Sequence, residues 1–133
     1  MSKERELFNA AIKVQKNAYA PYSNFLVGAA LRSSSGKIYT GCNVENIAYP
    51  EGTCAEAGAI ASMIAGGDRE IKELTVVADS SKPVAPCGGC RQKISEFGSS
   101  SIVISLATTS GDIISTSLEE LLPGAFDQSF IKL

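Results

Sequence analysis

Three cysteines and a glutamate stand where two helices are expected to begin: Cys54 and Glu56 in Thr53-Cys54-Ala55-Glu56, and Cys87 and Cys90 in Pro86-Cys87-Gly88-Gly89-Cys90. A divalent metal held by Cys54, Cys87 and Cys90 has three protein ligands and an open fourth position, the arrangement that separates a catalytic zinc from a closed structural one. A thiol at a helix N-terminus meets the positive end of the dipole, which lowers its pKa and favours the thiolate that zinc needs. The chain contains no histidine. Proton transfer near neutral pH therefore falls to a carboxylate, a thiol, a lysine or a metal-activated water. Glu56, two residues after the first ligand, is the carboxylate placed for it.

Each of these residues also has a plainer reading. A C-x-x-C that opens a helix after a strand is the pattern of a dithiol oxidoreductase as well as of a metal site. Cys54 favours zinc, because a redox pair needs no third cysteine at another helix start. A noncatalytic binding module stabilised by zinc is a further rival. Thr53-x-x-Glu56 matches a capping box, in which the glutamate only satisfies a backbone N–H. Beside three metal-ligating residues, the catalytic role is the better assignment.

The elements that must position these groups follow from hydrophobic periodicity. Leu7, Ala11, Val14 and Ala18 mark a helix over about Lys3 to Lys16, with Ser2 as N-cap and Glu4 and Glu6 in its first turn. Phe25 to Leu31 and Lys37 to Cys42 read as a hairpin around Ser34-Ser35-Gly36. Asn43 to Gly52 is a loop, and an alanine-rich helix runs from Thr53 to the stop at Gly66-Gly67. Leu74 to Ala78, Ser101 to Leu106 and Ile113 to Ser115 are strands, with a helix over Gly88 to Phe97. Ser117 and Glu120 box the start of a last helix, which Pro123 ends, and the tail begins at Gly124. Alternating strands and helices predict a three-layer α/β/α sandwich on a mixed sheet of about five strands, with ligands beyond the strand ends.

With 133 residues, 44% of them hydrophobic, the chain is expected to be one domain over 1–133 with a genuine core. Twelve basic against fourteen acidic residues argue against a nucleic-acid surface and for a small free substrate. No apolar run is long enough to span a membrane, and the charged start lacks the apolar stretch of a signal peptide. Four cysteines in a well-patterned domain fit a reducing compartment, so a cytoplasmic protein is expected.

The block Cys54-Ala55-Glu56 followed by Pro86-Cys87-Gly88-Gly89-Cys90 resembles the signature of the zinc nucleoside and base deaminases. Tyr22 to Ala30, Gly41-Cys42-Asn43-Val44-Glu45-Asn46, Cys90-Arg91-Gln92 and Leu121-Leu122-Pro123 are similar to blocks of the small homotetrameric cytidine deaminases. The resemblance spans nearly the whole chain. It implies a cytidine deaminase-like fold, one zinc per chain, and hydrolytic deamination of cytidine and deoxycytidine to uridine and deoxyuridine with release of ammonia, as in pyrimidine salvage. A related aminopyrimidine nucleoside such as blasticidin S is the alternative substrate. The resemblance further implies that Asn43 and Glu45 hold the ribose and Phe25 packs on the pyrimidine. The Ala55 backbone and Glu56 would meet the base, while Tyr49 and Phe126 would reach a neighbouring subunit's site in a homotetramer. Cys42 is read as a buried structural thiol. Members of this kind often carry arginine after the catalytic glutamate, whereas this chain has Ala57; Arg91 is the cation nearest in sequence to the ligands.

Overall fold

The computed structural model describes residues 3–131; the expected cap Ser2 and the side chain of Glu4 lie outside the described residues. Helix α1 (Lys3–Gln15) precedes the hairpin β1 (Val27–Ser33) and β2 (Ile38–Cys42). Then come α2 (Ala55–Ala65), β3 (Ile71–Ala78), α3 (Gly88–Phe97), β4 (Gly98–Thr108), β5 (Ile113–Ser117) and the short α4 (Leu118–Leu121). The strands form one sheet in the order β2-β1-β3-β4-β5. Only β3 and β4 pair in parallel; the other pairs are antiparallel.

Two clusters build the core, one on each face of the sheet. Leu7, Phe8 and Ala11 of α1 pack on Ala30, Val77 and Ala107. On the opposite face, Ala55, Ala59, Ile60 and Met63 of α2, Ile94 of α3 and Leu118 of α4 cover Leu31, Leu74, Val76, Ile104 and Leu106. This is the expected three-layer α/β/α sandwich on a mixed five-stranded sheet. Each fully buried Leu, Ile or Met side chain contributes about 1.5–3 kcal/mol. Central β3 is buried on both faces, so it reads as a nearly continuous apolar run rather than an alternating one.

Backbone approach is closest at two glycines. A Cβ on Gly28 would stand 2.2 Å from the Ala11 carbonyl oxygen, and one on Gly41 would stand 2.3 Å from the Ala59 nitrogen. The helices therefore sit directly on the hairpin, and the alanines of α2 make that possible. Asp68 locks the far end of the hairpin to the exit of α2, accepting hydrogen bonds from Ser33 Oγ at 2.8 Å, Ser35 Oγ at 2.6 Å and the Tyr39 hydroxyl at 2.9 Å.

Strand directions fix where chemistry can occur. Strands β2, β3 and β4 run the same way, because β1 is antiparallel to both β2 and β3, and β3 is parallel to β4. Helices α2 and α3 follow β2 and β3 and return on the same face. Both helices must then start at one edge of the sheet, beyond the carboxyl ends of β2 and β3. The start of β1 lies at that edge too, with Gly28 opposite Cys42 and Val27 opposite Ala78.

Candidate metal centre and active site

Cys54 is the N-cap residue of α2 and Cys87 that of α3, with Cys90 in the first turn of α3. Their sulfur atoms all lie within 4.8 Å of one another. Cys90 is buried, while Cys54 and Cys87 are exposed on the open side. The helix dipoles do not depress all three thiols as expected. Only Cys87 lies below the ordinary thiol range, chiefly because the Cys90 backbone N–H bonds its sulfur. Burial pushes Cys54 up, and Cys90 is pushed up by burial and by the nearby charges of Glu56 and Cys54. Three sulfurs gathered this closely, two of them unable to ionise easily alone, suit a thiophilic cation that displaces their protons. The donor set fits zinc. Cys42, half-buried at the end of β2, stands outside the cluster and is less enclosed than expected.

Glu56 is 4% exposed and lies in the first turn of α2. The capping box is not formed. The helix starts at Ala55, not Thr53, because Thr53 and Val44 exchange backbone hydrogen bonds of 2.8 and 2.9 Å, and the N-cap position carries no side-chain bond. Burial raises the Glu56 pKa, opposed by its own backbone N–H, by the Cys90 thiol and by the charge of Lys93. A buried carboxyl raised in this way can both accept and return a proton.

Glu56, Cys54, Ala55 and Cys87 line a cavity of about 240 Å³ with Phe25, Val27, Asn43 and the apolar loop Val84-Ala85-Pro86. Asn43 is clamped there: its side-chain oxygen accepts from Val27 N at 2.9 Å, and its amide nitrogen donates to the Phe25 carbonyl at 2.8 Å. Glu45 and Tyr49 line a second cavity of about 350 Å³ with Tyr22, Ser23, Asn46 and Gly52. The Glu45 carboxylate accepts from Tyr22 N, Ser23 N and Ser23 Oγ, and the Ser23 hydroxyl, its largest influence, holds its pKa below the usual range. Phe126 lies in neither cavity; it stacks on Phe130 beside Ser95 and Glu96.

Comparison with known proteins decides what this edge is. Residues 1–106 match the model of the cytidine and deoxycytidylate deaminase zinc-binding region. The chain belongs to this deaminase family. It is 49% identical over 116 residues to a cytidine deaminase of Sporosarcina psychrophila, covering 87% of this chain and 85% of the relative. It is 42% identical over 120 residues to that of Halalkalibacterium halodurans, covering 90% and 91%. The crystal structure of cytidine deaminase from Burkholderia pseudomallei superposes with a TM-score of 0.89 at 44% identity, covering 95% of this chain and all of that one. As in the family, the metal held here is zinc, one per chain.

Three features of this deaminase site do not follow from the sequence. Ser23 orients Glu45 and, through its oxygen, accepts from Phe25 N at 3.0 Å; its one signal is its place within the Tyr22-to-Ala30 block. Arg91 hydrogen-bonds backbone carbonyls rather than a sulfur. Its guanidinium donates to the Pro86 carbonyl and to the Leu121 carbonyl, both at 2.8 Å, and so stitches the loop before Cys87 to α4. Ala57 lines an open groove of about 430 Å³ with Lys93, so close helix packing does not require a small residue there.

Proposed function

We propose that Glu56 is the proton carrier of a zinc-dependent cytidine deaminase whose metal is held by Cys54, Cys87 and Cys90. The observation that carries this reading is a buried carboxyl beside three converging thiols in a cavity also lined by Phe25, Asn43 and Ala55. The reaction adds water at C4 of the pyrimidine ring and expels ammonia, converting cytidine or deoxycytidine to uridine or deoxyuridine. Zinc, when bound, contributes Lewis acidity that lets water ionise near neutral pH. Glu56 accepts the first proton of the attacking water as the C4–O bond forms and passes it to the ring nitrogen; it then takes the second proton from the new C4 hydroxyl and gives it to the amine as the C4–N bond breaks, leaving the C4 carbonyl and ammonia.

Phe25 offers an aromatic face to the flat base, and the Ala55 backbone meets its edge. Asn43, with one amide N–H left after its two backbone bonds, and Glu45, preorganised as a carboxylate, address the ribose hydroxyls. Tyr49 and Phe126 are 73% and 60% exposed and line no part of the cavity that holds Glu56. That exposure supports a homotetramer in which they complete a neighbour's site. Residues 1–133 then act as one catalytic domain. No helix among the described residues is long and apolar enough to cross a membrane. Three free thiols at the site favour a cytoplasmic protein serving pyrimidine salvage.

Loss of ultraviolet absorbance on incubation with cytidine, deoxycytidine or blasticidin S, with and without chelator, tests the reaction and ranks the substrates. Zinc-loaded protein that leaves all three unchanged would refute it.

A further inference from the structure

Three thiolates carry more negative charge than a divalent ion neutralises, and Glu56 adds to the excess. Positive charge is scarce around them. Helix α2 contains no basic residue, and neither does the segment from Asn43 to Cys54, which carries Glu45 and Glu51. The Arg91 guanidinium is engaged by two carbonyl oxygens. Lys93 remains. Its Nζ lies 3.7 Å from where a Cβ on Gly89 would stand, so the ammonium folds back over the first turn of α3, the turn that carries Cys90. An ammonium would ordinarily avoid this end of a helix, where the dipole is positive. It makes no ion pair with any described residue. The acidic neighbour in its groove, Glu96, instead accepts from Gln128 Nε2 at 3.3 Å.

We infer that Lys93 is a positioning residue that compensates the charge of the zinc–thiolate cluster, from the α2–α3 groove where Ala57 leaves space. The inference rests on the zinc reading above. Its role is electrostatic, since the exposed lysine stem buries little surface.

Chelator competition at fixed neutral pH measures this on the zinc-loaded protein. Lys93→Met keeps the length and apolar stem but removes the charge. It should weaken zinc binding about threefold at low ionic strength, the scale of an exposed charge interaction. The difference should vanish near 1 M salt, where screening acts over about 3 Å. Lys93→Arg should restore parental binding, and Lys93→Glu should weaken it beyond Lys93→Met. In a Lys93→Met background, Ala57→Arg should recover binding from the other wall of the groove. Unchanged affinity in Lys93→Met at low salt, or a loss that Lys93→Arg does not rescue, overturns the inference while the zinc reading stands. Parent protein that binds no zinc overturns both.

Discussion

Glu56 loses nearly all its hydration where it sits, and the same burial that makes it a poor anion makes it a serviceable proton carrier. Glu56→Gln should keep one zinc per chain and the parental fold, because an amide fills the same space, yet lower turnover by about 10²–10⁴. Metal content, thermal unfolding and initial rate on one preparation check it. Near-parental turnover would mean the side chain serves structure alone. Residue types and their spacing make the gathering of Cys54, Cys87 and Cys90 beside Glu56 legible in the sequence. The loss of the capping box is not legible there, because it depends on Thr53 pairing with Val44 across a loop.

At the scale of elements, the site depends on how closely α2 lies on β2. Gly41→Ala places a methyl group 2.3 Å from the Ala59 backbone nitrogen, so the helix that begins with Cys54 has to shift. Overpacking of this kind costs about 1–3 kcal/mol. Gly88→Ala meets nothing within 4 Å and serves as the control; calorimetry should show a lower Tm for the first substitution only. A second prediction concerns the lock on α2. Hydrogen bonds, first from Ser35 and then from Ser33 and Tyr39, hold the Asp68 pKa below its ordinary value. A depressed carboxylate pKa contributes stability above the unfolded-state value of about 3.9, and loses it as pH falls through the folded value. Asp68→Asn should therefore lower Tm at neutral pH, with the gap to the parent closing below about pH 4. A gap independent of pH would show that charge on Asp68 is irrelevant. Periodicity makes the identity of the elements readable, and it predicts α3 with its observed ends. It starts strand β1 two residues early: Asn24, at φ 58°, turns the chain, and Phe25 is spent on the Asn43 clamp. Strand β4 runs longer than its apolar stretch, because Gly98 pairs with Ile71 through residues whose sequence is all serine.

For the whole molecule, the exposed Tyr49 and Phe126 make the proposed assembly testable. Mixing inactive Glu56→Gln subunits with impaired Phe126→Ala subunits should regenerate some intact sites if the aromatic serves a neighbour, and none if it serves its own chain. Dissociation and reassembly followed by rate measurement distinguishes the two, with light scattering for stoichiometry. The common direction of β2 and β3 also bears on how the protein comes into being. Hairpin β1–β2 is local, but β3 must cross under α2 and insert on the far side of β1 before α3 can begin beside Cys54. Non-local pairing of this kind is slow. Until it is complete, the chain offers one thiol at one place and two at another, never three together. Capture of the metal by all three thiols should thus come late in the history of each molecule, and the moment at which zinc becomes hard to extract during refolding should mark the moment at which the sheet has closed its ranks.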